Sequence, residues 1–275
     1  MNALVPRRSI AYRHGMQSWL WTGSEYSPTS ALPVSDRGFR YGMALFETLR
    51  VWNGRIELWE QHRQKLYASC VARDFPLDEK TLWRAADVLE TAGVNGVARI
   101  YVTAGDGGPS AGVTAPRVIL ILEPRVQEKE DSWDIGVHED PYRPPFGGLK
   151  TANYWFNTDA LSHAKLRKFD EALLFNDFAE LVSACCANVF LVHGERISTP
   201  SRASGCRAGI VRDWVIKRRK VEERRVRRED VVNADEIFLT NSWIGVMPVS
   251  TLEGRPLGPR SVGPKLAGEI ARMRE

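Results

Sequence analysis

The dipeptide Asn53-Gly54 sits between the apolar run 44–52 (Ala-Leu-Phe-Glu-Thr-Leu-Arg-Val-Trp) and Arg55-Ile-Glu-Leu58, and it constrains the fold more than any other short feature. A two-residue loop of this kind needs positive φ at both positions, which asparagine and glycine accept, so the flanking runs are expected to pair as an antiparallel hairpin. Residues 18–22 form another aromatic-rich run. From Trp59 to Ala72 the apolar Leu66, Ala68, Cys70 and Val71 recur among charged residues at helical spacing, which predicts a helix packed on the hairpin. A second helix is expected over 78–93 with Asp78 as its cap, then strands at 97–104 and 116–123.

At Glu123 the pattern breaks. The stretch Glu123-Pro-Arg-Val-Gln-Glu-Lys-Glu-Asp-Ser132 carries charge, a proline and no apolar period. Residues 125–132 are therefore expected to link a small N-terminal domain, 1–124, to a larger C-terminal one, 133–275. The second part predicts a strand near 133–138 and a Pro- and Gly-rich segment from Pro141 to Gly148, ending at Leu149-Lys150. A helix follows over 154–168, with strands at 173–175, 187–192 and 236–239 and a helix from about 209 to 219. The sum is a mixed α+β chain in two lobes.

Composition excludes several classes. Of 275 residues, 43% are hydrophobic and 26% charged, the balance of a globular chain and not of a disordered one. The opening residues hold no apolar run long enough for a signal peptide or membrane span, so the expected compartment is the cytoplasm, with no membrane partner. Four cysteines (Cys70, Cys185, Cys186, Cys206) are too few for a disulfide scaffold, and the adjacent pair lacks zinc-knuckle spacing. They read as small buried apolar residues, and no metal site is expected. The basic run Lys217 to Arg228 suggests phosphate binding, but its first cations close a helix, where positive charge is favourable, and Val221 and Val226 bracket a charged edge strand with Glu222 and Glu223. It reads as solvated surface, and no nucleic-acid partner is expected.

Four segments carry a family resemblance. Ser35-Asp-Arg-Gly-Phe-Arg-Tyr-Gly-Met-Ala-Leu-Phe-Glu-Thr-Leu-Arg50 is similar to the motif D-R-G-F-x-Y-G-D-G-x-F-E-T-x-R of the fold-type IV (class IV) pyridoxal phosphate (PLP)-dependent aminotransferases. Branched-chain and D-amino-acid aminotransferases and aminodeoxychorismate lyase typify that family. Lys150-Thr-Ala-Asn-Tyr154 resembles its lysine signature. Asn188-Val-Phe190, with Ile197-Ser-Thr-Pro200 and Gly209-Ile-Val-Arg212, resembles a third segment. Leu239-Thr-Asn-Ser242 and Gly245-Val-Met-Pro-Val249 resemble its phosphate loop and following strand. The resemblance runs from about residue 18 to 255 in the family's order. It implies a small N-terminal α/β lobe, a larger C-terminal lobe with a mixed, partly barrel-like sheet, a homodimer, and pyridoxal 5'-phosphate as cofactor.

Amino-acid carbanion chemistry needs an electron sink that no side chain supplies, so a conjugated cofactor must be tethered, and a lysine amine can both tether it and move the α-proton. By resemblance Lys150 is this Schiff-base lysine. Because it follows a rigid Pro/Gly segment and heads a helix, it is expected to be fixed by the second lobe. The resemblance places Tyr154 beside the ring's phenolic oxygen. It gives the phosphate to the amides of Ile210 and Val211 after Gly209 and to Ser242, with Asn241 in the same loop and Asn188 in the same cofactor site.

Two departures stand out. The family's phosphate-binding arginine in H-x-x-R-L is Lys65 here, within His62-Arg-Gln-Lys-Leu66, which keeps the charge but loses the bidentate fork, and Arg63 is expected to point elsewhere. Ser183 replaces the glutamate that pairs with the pyridine nitrogen, so the ring would be a weaker electron sink. Glu180, three residues away, should face the other side of an extended strand unless the strand bulges. The residues Met43-Ala44 replace the family's Asp-Gly as a milder change. The resemblance implies an aminotransferase acting between a small amino acid and a 2-oxo acid. Two alternatives stand beside it: an aminodeoxychorismate lyase forming 4-aminobenzoate and pyruvate, and a non-catalytic homologue, which Ser183 and Lys65 together motivate. Arg40 and Arg99 are candidates for the substrate carboxylate.

Overall fold

The first part of the chain pairs β1 (Gln17–Trp21) with β2 (Tyr26–Pro28) and then turns through the short helix α1 (Arg37–Tyr41) into β3 (Ala44–Trp52). The structure is a computed structural model that describes residues 15–126 and 130–274. The opening segment and residues 127–129 of the expected linker lie outside the described residues. At Asn53 and Gly54 φ is 50° and 70°, as the primed turn requires, and the chain returns through β4 (Arg55–Ile56), where Val51 faces Ile56. The return strand is shorter than the sequence suggests because Leu58, also at positive φ, starts the helix α2 (Trp59–Val71). Next comes α3 (Glu79–Thr91), where Asp78 caps the first turn by accepting from the Lys80 amide. It is followed by β5 (Gly96–Thr103) and β6 (Arg117–Pro124).

These strands make an antiparallel sheet in the order β2-β1-β6-β5-β3-β4. Strand β3 is buried on both faces, and α2 and α3 cover one side of the sheet through Leu66, Cys70, Leu82, Ala85 and Leu89. The Asp-Arg pair of the first motif is structural. Asp36 is fully buried and accepts from the Gly38 amide, Thr103 and Arg117, while the Arg37 guanidinium donates to the carbonyls of Ala104, Gly105 and Ala111. A buried charge is tolerable when it is saturated in this way.

The second part contains β7 (Trp133–Val137), α4 (Trp155–Leu166), β8 (Glu171–Phe175), β9 (Leu181–Ala184), β10 (Asn188–His193), β11 (Arg196–Pro200), α5 (Ile210–Ile216), β12 (Val221–Arg224), α6 (Arg228–Val232), β13 (Glu236–Asn241), β14 (Gly245–Leu252), β15 (Arg255–Pro256) and α7 (Val262–Arg274). The sheet order is β12-β11-β10-β13-β14-β7-β8-β9, with β15 on β14. The β11/β12, β14/β7 and β7/β8 pairs are parallel and the others antiparallel, so the sheet is mixed. The fold is α+β in two lobes, one per sheet. The basic run ends α5 and forms the edge strand β12, where Arg219 pairs with Glu269, Arg224 with Asp230 and Arg225 with Glu180. No helix among the described residues is long and apolar enough to cross a membrane.

One expectation needs correction. Lys150 does not head α4; the helix starts at Trp155, and residues 150–152 lie extended against β3 of the other sheet. Phe46 donates its amide to the Lys150 carbonyl (3.0 Å), Ala152 donates to the Ala44 carbonyl (2.9 Å), and Leu45 bridges Thr151. A backbone in this position must satisfy its amides with whatever strand it meets, and it meets the small lobe. The lysine is therefore fixed by the first lobe and not by the second alone.

Candidate active site

A pocket opens where the two sheets meet, and its wall brings together most of the residues that the motifs single out. Lys65, Lys150, Tyr154, Ser183, Asn188, Gly209, Ile210, Val211, Asn241 and Ser242 all line it. Arg40 and Arg99 do not. Arg40 is exposed and lies over the Tyr41 ring, and Arg99 pairs with Glu123 at 2.8 Å. The substrate-carboxylate role expected of them finds no support in this wall. A wider cleft of about 690 Å³ between β14 and α7 holds Glu130, Asp131 and Arg260 with Val246 and Pro248 of the last motif, but none of the candidate site residues.

The Lys150 amine stands 4.0 Å from the centre of the Phe46 ring and 3.3 Å from the Tyr154 hydroxyl. Burial, the nearby Arg207 charge and Lys65 bring its pKa down from 10.5 to about 7, against the opposing pull of Glu47. A buried amine held near neutrality is a far better nucleophile and base than a solvated lysine. Tyr154 sits at the N-cap of α4, and burial raises its pKa, so its hydroxyl keeps its proton and can donate.

On one side of Lys150, Glu47 organises a polar chain. Its carboxylate is 4% exposed and receives His62 Nδ1 at 2.8 Å and Lys65 Nζ at 3.0 Å, while His62 Nε2 meets Ser242 Oγ at 3.3 Å. Burial alone would push the Glu47 carboxyl up, but Lys65 and His62 bring it down to about 2. Residues 62 and 65 reach inward because α2 buries a polar first half, His62 and Arg63, before its apolar Leu66 and Cys70. Arg63 turns away as expected, to Glu60 and Glu79 at 2.6 Å each.

The floor is built by β9, β10 and the loop before α5. Ser183 faces the pocket from β9. The strand does bulge beside it, since Leu174 pairs with Ser183 and Phe175 with Leu181, yet Glu180 still points away and binds Arg225 and Asn176. The bulge removes the period-2 argument, and Glu180 is kept from the pocket by these two partners instead; among the described residues no carboxylate replaces the missing glutamate in the wall next to Ser183. Asn188 donates to the Arg207 carbonyl at 2.9 Å and so holds the loop that presents Gly209. A Cβ on Gly209 would lie 2.0 Å from Asn188 Oδ1, so any larger residue there must displace the Asn188 side chain that holds the loop. Asn241 differs from expectation: its side chain builds its own turn, accepting from the Trp243 and Ile244 amides and donating to the Cys186 carbonyl, although it lines the pocket.

Four residues that sequence reasoning missed belong to this region. Arg207 donates to Tyr154 (2.6 Å) and Tyr142 (2.9 Å). Thr240 lines the pocket with a buried hydroxyl that has no hydrogen-bond partner. Cys186 also lines it, so it is not merely a core residue, and burial pushes its thiol up to about 12. Beneath it Glu171 accepts from the amides of Ala172, Cys185 and Cys186, which shapes the β9–β10 turn. The signal for Glu171 was a lone glutamate heading the apolar run Ala172-Leu-Leu-Phe175. Arg207 gave none, because its partners lie 53 and 65 residues away.

The family model "Amino-transferase class IV" matches residues 44–252. A putative branched-chain-amino-acid aminotransferase of Methanocaldococcus jannaschii is 29% identical over 259 residues, covering 84% of this chain and 85% of its own. The crystal structure of 4-amino-4-deoxychorismate lyase from Pseudomonas aeruginosa is 27% identical with a TM-score of 0.84, over 93% of this chain and 98% of that one. A T.th. branched-chain amino acid aminotransferase, solved with pyridoxamine 5'-phosphate, shares the fold at 22% identity with a TM-score of 0.81, over 93% of each chain.

Proposed function

Since the chain belongs to the class IV aminotransferase family, whose members are aminotransferases or lyases that use pyridoxal 5'-phosphate, we propose that it moves an amino group between a small amino acid and a 2-oxo acid, with Lys150 as the reactive amine. The observation that carries this reading is the Lys150 amine itself, brought down to about 7 and set 3.3 Å from a tyrosine hydroxyl in the pocket between the sheets.

The donor set suits a phosphorylated pyridine aldehyde. Thr240 Oγ1 is buried there without a hydrogen-bond partner, and the first amides of α5 receive no side-chain cap. The Ile210 and Val211 amides, Ser242 and Lys65 are the groups to hold the phosphate. Lys65 acts as a point charge already shared with Glu47. When bound, the cofactor supplies the electron sink. Lys150, neutral above pH 7, would be the amine that tethers the aldehyde, with water as the group released, and the base that moves a proton at the substrate's α-carbon. Tyr154 would donate to the ring oxygen, and the Ser183 hydroxyl would be the group for the ring nitrogen, both side chains lining the same pocket.

Ser183 favours a second reading, the aminodeoxychorismate lyase, because a hydroxyl cannot keep the ring nitrogen protonated as a carboxylate would, and elimination tolerates the weaker sink better. Incubating the purified protein with PLP and aminodeoxychorismate separates the two: 4-aminobenzoate and pyruvate formed with no 2-oxo acid present mean the lyase, whereas turnover only with an amino acid and a 2-oxo acid means the aminotransferase. Ser183→Glu is expected to raise transamination about tenfold, equivalent to roughly 1.4 kcal/mol off the barrier. A loaded variant with no gain would count against the weak-sink argument.

A further inference from the structure

Arg207 brings a positive charge into the pocket that the protein does not neutralise. It lies on the loop between β11 and α5, and its guanidinium lines the pocket. Among the described residues no carboxylate lies within ion-pair distance of it. Its two terminal nitrogens donate to Tyr154 and Tyr142, both phenols with raised pKa values and so uncharged at neutral pH, and Nε is enclosed with no partner. Burial works against the charge, but the two tyrosines more than offset it, and the group stays cationic. Charged groups placed in this way ordinarily have a counter-ion, because an unpaired buried charge is costly.

The other cations of the pocket are accounted for. Lys65 is matched by Glu47, and Lys150 is near neutrality. The hydrogen-bond pattern also separates the pocket into two ends. Ser242, His62, Glu47 and Lys65 form one linked group, and Tyr154, Arg207 and Tyr142 form the other, with Lys150 beside Tyr154. The side-chain phosphate donors named above, Ser242 and Lys65, belong with the first group, which leaves the Arg207 guanidinium for a different anion. Arg207 reaches Lys150 through one hydroxyl, Nη1 at 2.6 Å and Nζ at 3.3 Å from the same Tyr154 oxygen. That span suits a molecule whose amine and carboxylate are held on one carbon.

Resting on the functional reading above, we infer that Arg207 is the substrate-anchoring residue, binding the carboxylate of the amino acid or 2-oxo acid beside Lys150. Tyr154 and Tyr142 are positioning residues for it. They fix the plane of the guanidinium, Tyr142 being stacked on Phe156 at 5.2 Å, so that its fork can meet a carboxylate edge-on. The enzyme would then discriminate against amines that lack a carboxylate.

The test uses PLP-loaded protein, titrated with isobutyrate by tryptophan fluorescence and assayed with alanine against ethylamine as amino donors. Arg207→Gln is expected to weaken isobutyrate binding tenfold or more and to lower the alanine-to-ethylamine ratio of kcat/KM by at least tenfold, chiefly through KM, while the 280 nm to visible absorbance ratio of the loaded protein is retained. Arg207→Lys should recover part of the isobutyrate affinity. Unchanged isobutyrate binding in Arg207→Gln, or equal losses with alanine and ethylamine, overturns the assignment. So does loss of PLP uptake alone, which would place the cofactor's phosphate on Arg207. If the wild-type protein takes up no PLP, the functional reading falls instead, and the isobutyrate titration of wild type against Arg207→Gln still decides whether this arginine is a carboxylate site.

Discussion

Replacing Lys150 with alanine is expected to abolish the visible absorbance that PLP gives the wild-type protein and the borohydride-fixed adduct with it. Turnover should fall by at least roughly 10²–10⁴-fold, the loss from proton transfer alone. The same change should not destabilise the cofactor-free chain. A lysine whose folded pKa is about 7 and whose unfolded pKa is 10.5 takes up its proton in the unfolded chain first as pH falls. It therefore contributes nothing to stability above pH 10.5 and an increasing penalty down to pH 7, constant below that. Lys150→Ala removes the penalty, so its stability relative to wild type should rise as pH drops from 10.5 to 7. Urea midpoints across that range measure it, and a variant uniformly less stable than wild type would show that the amine is paired and charged in the pocket. Residual PLP-dependent absorbance would assign the aldehyde to another amine.

Glu47→Gln is the second large effect, and it acts on stability. Removing one member of a buried ion pair leaves the other without compensation, at a cost of about 3–5 kcal/mol. Here Lys65 and His62 both lose the negative charge they share, and the single oxygen of glutamine can accept from only one of them. A Tm drop of roughly 10 °C follows for a chain of this size. The sign with pH is fixed by the carboxyl's depression from 4.5 to about 2. Its contribution is fully present above pH 4.5 and is lost as pH falls through about 2. The gap between wild type and Glu47→Gln should therefore close on acidification through that window. A gap that stays constant from pH 6 to pH 2.5 would mean that Glu47 is not the anion of this cluster.

How much of this was legible depended on the range over which each signal acts. The Asn53-Gly54 hairpin and the Asp78 cap are local rules, written in adjacent residues, and both hold. Period 2 could not settle Glu180, which lies just before β9 and beyond its bulge; its bonds to Arg225 and Asn176 turn it from the pocket that Ser183 lines. The motifs around Lys150, Tyr154, Asn188 and Gly209 meet in one pocket wall, each naming its own segment. What the sequence could not carry was pairing across distance. Arg207 is one cation in a chain rich in them, and its meaning comes from tyrosines brought to it by α4 and the segment after β7. Asn241 fits a binding loop by type, but its amide is consumed by the turn it stands in. The helix α7 was hidden because Gly263, Pro264 and Gly268 obscure the Leu266 and Ile270 stripe that packs it on the sheet.

The extended bond between residues 150–152 and β3 has a mechanical consequence. Because the backbone that carries the Lys150 amine belongs by sequence to one lobe and by hydrogen bonding to the other, it is a rivet through their seam. Any loosening of the seam displaces that amine first, so mild denaturant should silence the chemistry while each sheet, with its own core, is still intact.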